Sequence, residues 1–130
     1  NIYRPRLELI MSGLVGTSHS KSKGIGRSLD TAKAWVSYNG STNAINDSFG
    51  VSSVTDVGTG NYDVVFETPF ATDDYAVSTD LGPDENNYVV HCCIGNRDTT
   101  KVTIWSRYYV NQSNMGNTDK AFHDVIVFGD

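Results

Sequence analysis

Residues Ala32 to Phe66 read AKAWVSYNGSTNAINDSFGVSSVTDVGTGNYDVVF, and their patterning decides the fold class. Ala34, Val36 and Tyr38 fall on one face of an extended chain, with Trp35 and Ser37 on the other. Asn39-Gly40 then interrupts the run with a dipeptide that tolerates the positive φ angles of a tight hairpin turn. A serine-rich strand is expected from about Phe49 to Val57, and Gly58-Thr59-Gly60 turns the chain again. Tyr62, Val64 and Phe66 resume the alternation against Asn61, Asp63 and Val65.

Further along, the same rhythm continues. Tyr75 to Thr79 reads as a strand after the turn cluster Thr72-Asp73-Asp74. Asp80 to Asn87 is turn chemistry throughout. Tyr88 to Ile94 is a nearly continuous apolar run, expected as a central strand. Lys101 to Val110 alternates cleanly, Asn111 to Lys120 is the longest polar loop, and Phe122 to Phe128 is the last strand. Seven or eight strands at such spacings predict an all-β fold, an antiparallel β-sandwich.

Size and composition agree. The 130 residues suit one domain, with 11% aromatic residues, twelve Gly and only three Pro. No apolar run is long enough for a membrane helix. Charge divides the chain in two. Arg4, Arg6, Lys21, Lys23 and Arg27 face only Glu8 and Asp30 in residues 1–30, a local +3, so the total of −5 leaves −8 for residues 31–130. Residues 1–30 read as a basic, Gly/Ser-rich extended connector with a brief helix possible over residues 5–12; residues 31–130 read as the sandwich domain. A body this acidic argues against nucleic acid as a partner.

Little points to catalysis. Asp73-Asp74 and Asp84-Glu85 sit in turns, where carboxylates ordinarily cap or face solvent. Gly24-Ile25-Gly26 lacks the third glycine and the strand–helix context of a nucleotide fingerprint. His91, Cys92 and Cys93 form no metal set without a second ligand cluster, and a cation shared on a threefold axis through His91 or His123 is a remoter reading. Adjacent Cys92 and Cys93 point to opposite strand faces, so two unlinked thiols are expected, one of them in the core. No cofactor is expected, and the chain reads as a non-enzyme.

The run KAWVSYNG followed by FGVSSVTDVGTGNYDVVF resembles the C-terminal module of bacteriophage tail fibres and related virion fibre proteins. The likeness covers Ala32 to about Val77 and returns at Val125-Ile126-Val127-Phe128-Gly129; between Asp80 and Asp124 only the strand rhythm matches, and the basic lead segment departs from the family. The resemblance implies a homotrimeric head in the virion, outside the cell, joined to other virion tail proteins and attaching the phage to a bacterial surface glycan or outer-membrane protein. A purely structural fibre or capsid decoration protein is the alternative. Trp35, Trp105 or both are then expected near subunit contacts.

Two loops offer the polar side chains of a receptor site. One supplies Asp84, Asn86 and Asn87; the other supplies Asn111, Gln112, Asn114, Asn117 and Asp119. Trp105, Arg107 and Tyr109 share one face of the strand that feeds the second loop. Aromatic faces stacked on sugar rings, with amides and carboxylates on the hydroxyls, are a means of gripping glycans. Burial of Trp105 and Tyr109 in the core or in a subunit contact is the competing expectation.

Overall fold

The structure is a computed structural model that describes residues 31–83, 86 and 88–129. The connector expected over residues 1–30, and with it the short helix, lies outside the described residues, as do Asp84, Glu85 and Asn87. Nine strands run in the order β1 (Ala32–Asn39), β2 (Ala44–Phe49), β3 (Val51–Gly58), β4 (Asn61–Phe66), β5 (Ala76–Leu81), β6 (Val89–Arg97), β7 (Lys101–Asn111), β8 (Asn114–Asn117) and β9 (His123–Phe128). No helix occurs among the described residues.

The strands form two antiparallel sheets, one ordered β2-β1-β9-β5 and the other β3-β4-β7-β6, with β8 paired to β7. Their inner faces share one core, the arrangement of a β-sandwich. The alternating residues of the opening stretch supply much of it: Ala34, Val36 and Tyr38 from β1 meet Tyr62, Val64 and Phe66 from β4. Val102 and Ile104 of β7 and Val125 and Val127 of β9 complete the middle. Burying each such side chain contributes about 1.5–3 kcal/mol, so these two central strand pairs dominate stability.

Four departures from the sequence reading have physical causes. The turn after β1 spans residues 40–43, and its left-handed residue is Asn43 (φ 61°), not Gly40. Gly40 is needed for a different reason: a Cβ there would lie 2.6 Å from both the His123 ring and the Tyr62 hydroxyl. Second, the turn leads into β2, whose polar AINDSF carries no buried face and hence no alternation. β2 and β3 are almost continuous, with Gly50 (φ 69°) making the corner from one sheet to the other. A side chain there would strike the Lys33 carbonyl at 2.5 Å.

Third, β6 is an edge strand of the second sheet rather than a central one, and Val89 stays 65% exposed. Fourth, the polar stretch Asn111–Lys120 is not a long loop. It turns at Gln112-Ser113 and folds back as β8 against the end of β7, with Arg107 opposite Asn117 and Tyr109 opposite Met115.

Candidate functional site

The outer face of the second sheet gathers the chemistry. Because Val102, Ile104 and Ser106 point inward, Thr103, Trp105, Arg107 and Tyr109 of β7 point outward. Neighbouring strands extend these into rows. Cys93 and Asn61 flank Trp105, His91 and Asn117 flank Arg107, and Val89 and Met115 flank Tyr109. Between them lies a cleft of about 400 Å³ lined by His91, Arg107, Tyr109, Met115 and Asn117 among others, a size within the range of small-ligand sites.

Arg107 is the distinctive member. Its guanidinium carbon sits 4.4 Å from the centroid of the Trp105 ring, a cation–π stack. Trp105 is in turn held from beside: a Cβ on Gly95 would come 2.5 Å from the indole Nε1, so only glycine lets β6 approach the ring this closely. Arg107 has no ion pair among the described residues, and its Nε is buried without a hydrogen-bond partner. Asp63, a carboxylate of the same outer face, is already engaged: Lys101 Nζ lies 2.6 Å from Oδ2 and Thr103 Oγ1 donates to Oδ1 at 2.7 Å.

The residues expected to hold a receptor divide sharply. Tyr109 (40% exposed) and Asn117 line the cleft, with no side-chain hydrogen bond among the described residues. Gln112 and Asn114 are exposed at the β7–β8 tip, whereas Asn111 Oδ1 accepts the Ser113 N–H at 2.9 Å and so fastens the turn. Asn86 occupies an exposed turn before β6. Asp84 and Asn87 are outside the described residues.

Asp119 faces inward. Its Oδ1 accepts the Tyr62 hydroxyl at 2.5 Å and the Gly60 N–H at 2.6 Å, so it closes one end of the sandwich and belongs to the frame. Beside it, His123 is buried and stacks on Tyr38 with centroids 4.8 Å apart. Burial pushes the His123 pKa down to about 4, against a smaller upward pull from the Lys120 backbone. Burial first, then the hydrogen bond to Asp119, pushes the Tyr62 pKa up. His123 is thus a neutral core ring.

Both cysteines are free, and neither is fully buried, which corrects the expectation that one would be a core residue. Cys92 packs against the core and burial pushes its thiol up to about 12, while Cys93 lies on the outer face opposite Trp105. No group of three His, Cys, Asp or Glu among the described residues is placed to hold a metal ion. A second cleft of about 460 Å³ lies between Asp73, Asp74 and the end of β6. Its cation is committed to the frame, since Arg97 Nη1 donates to the Tyr75 carbonyl at 2.7 Å.

Sequence reasoning reached Trp105, Arg107, Tyr109 and Asn117 but not His91 or Met115. Those two join the site only through the register of β6 and β8 on β7. No family model, no curated protein and no solved structure matches the chain.

Proposed function

We propose that the chain is the tip module of a bacteriophage tail fibre, attaching the virion to a bacterial surface glycan or outer-membrane protein. The observation that supports this reading is the cleft on the outer face of β7, where an exposed ring, an amide and a cation with no ion pair among the described residues stand together on ordered strands. Rigid strands limit the entropy lost on binding, and side chains without internal partners are free to meet a ligand's hydroxyls.

The subunits associate as a homotrimer through the other outer face. There Phe49 and Ile126 flank Trp35 in one row, with Phe128 nearby, and Phe49 is 53% exposed. Apolar side chains in that density favour association.

Two measurements test the proposal. Native mass spectrometry is expected to give three times 14.2 kDa. On an array of bacterial surface polysaccharides, the full chain is expected to bind, and Tyr109→Ala with Asn117→Ala to abolish that binding while the trimer persists. A trimer silent on the array and on whole bacterial cells would instead be a structural fibre piece.

A further inference from the structure

An arginine on the outer face of an acidic domain ordinarily finds a carboxylate. Residues 31–130 carry −8 in formal charge, yet Arg107 pairs with none among the described residues. Its position is secured by the Trp105 ring. Stacking fixes the plane of the guanidinium without consuming its N–H groups, and with Nε buried it is the two terminal nitrogens that remain for a ligand. The result is a pre-oriented fork that matches an oxyanion in two parallel hydrogen bonds.

Its neighbours suit the rest of such a ligand. His91 lies across from Arg107 on one side and Asn117 on the other. Neither side chain is engaged among the described residues, so each offers a hydrogen bond to a hydroxyl. One row further on, Tyr109 and Met115 give an apolar surface, 40% and 61% exposed, against which a ring packs. A bare inorganic anion would leave that surface unused, and a neutral sugar would leave the cation unmatched.

We infer that the cleft recognises an anionic saccharide, a sugar ring bearing a carboxylate or a phosphate, with the oxyanion on Arg107 and the ring on Tyr109. This rests on the receptor-binding reading and narrows its ligand to one chemical class. The fork and the ring surface act together: charge selects the sugar, and the ring face holds it.

The test titrates the full chain with six probes by ¹H–¹⁵N NMR, following the Arg107 Nε–H and the indole N–H of Trp105. The probes are methyl glucuronide, its methyl ester, methyl glucoside, glucose 6-phosphate, acetate and inorganic phosphate. Methyl glucuronide or glucose 6-phosphate is expected to bind at least about tenfold tighter than methyl glucoside, as the loss of a charge-assisted bidentate contact implies. Which of the two binds identifies the carboxylate or the phosphate as the source. Arg107→Gln is expected to bring the acid, the ester and the glucoside within about twofold of one another. Should that variant lose its fold, Asn117→Asp places a carboxylate beside an intact Arg107 and is expected to erase the same preference.

Equal binding of acid, ester and glucoside would overturn the inference while leaving glycan attachment standing. Acetate or phosphate binding as tightly as the sugar acids would overturn its saccharide half. If none of the six binds, the inference falls, and the polysaccharide array and whole-cell measurement separately decide whether the receptor reading falls with it.

Discussion

Two regions of this domain hold nearly the same inventory of side chains and do opposite things with it. At one end of the core, Tyr38, Tyr62, His123 and Asp119 pack together; on the outer face of β7, Tyr109, His91, Arg107 and Asn117 line an open cleft. In the first cluster the rings pack at about 5 Å, Tyr38 stacked on His123 and Tyr62 edge-on to both, and the carboxylate is consumed by Tyr62 and Gly60. In the second, no described side chain answers the cation or the amide. A tyrosine, a histidine and a polar partner therefore say little by type alone. Whether they are shut in by packed rings or stand open at a cleft decides between frame and site, since even in the frame the Tyr38 hydroxyl has no hydrogen-bond partner among the described residues.

The sharpest way to break this contrast is at Asp119. Asp119→Ala leaves the Gly60 N–H without its acceptor and the Tyr62 hydroxyl with only the Gly40 carbonyl, 2.9 Å away, and is expected to cost about 2 kcal/mol. Urea denaturation measures it directly. A loss under about 0.5 kcal/mol would return Asp119 to the exposed surface residues.

Acid sharpens the same contrast. His123 must be neutral to remain in the core, and its pKa falls from 6.5 to about 4 on folding. Its contribution is whole above pH 6.5, declines as the pH falls, and is fully lost below about 4. Between pH 7 and 4.5 this one ring is expected to remove about 2–3 kcal/mol. Comparing denaturation of the wild type with His123→Phe across that range isolates the part due to His123, because the titrating carboxylates are common to both. Parallel pH profiles would show that the ring does not titrate in this way.

In contrast, the cleft should tolerate change. Tyr109→Ala and Asn117→Ala remove no internal hydrogen bond among the described residues and are each expected to move stability by no more than about 0.5 kcal/mol. Cysteine reactivity gives the smallest effect. At pH 8, Cys93 is expected to react with an aromatic disulfide at least tenfold faster than Cys92, whose thiol burial pushes up to about 12. Peptide mapping of the labelled protein would show which residue carries the adduct.

Which parts were legible in the sequence follows from burial. β1, β4, β7 and β9 each have one buried face, so their alternation reads directly. β2 and β8 pair at sheet margins with both faces largely exposed, and polar residues there look like loop. The apolar run of β6 resembled a central strand because Val90, Cys92 and Ile94 share the face that pairs beside inward residues of β7, while Val89 and Cys93 lie on the outer face of an edge strand. The shared face of Trp105, Arg107 and Tyr109 was visible for the same reason as β7 itself. Asp119 was not: its inward turn depends on Gly60 and Tyr62, nearly sixty residues away, and no local pattern records that contact.

We propose that ligand is held on the outer face of β7, among groups without partners among the described residues, and not at the tip of the β7–β8 hairpin. Two double variants of the full chain separate these on the polysaccharide array: Tyr109→Ala with Asn117→Ala in the cleft, and Gln112→Ala with Asn114→Ala at the tip. The cleft variant is expected to lose binding while the tip variant keeps it, with both melting within a few degrees of the wild type. Binding that survives in the cleft variant and disappears in the tip variant would contradict it.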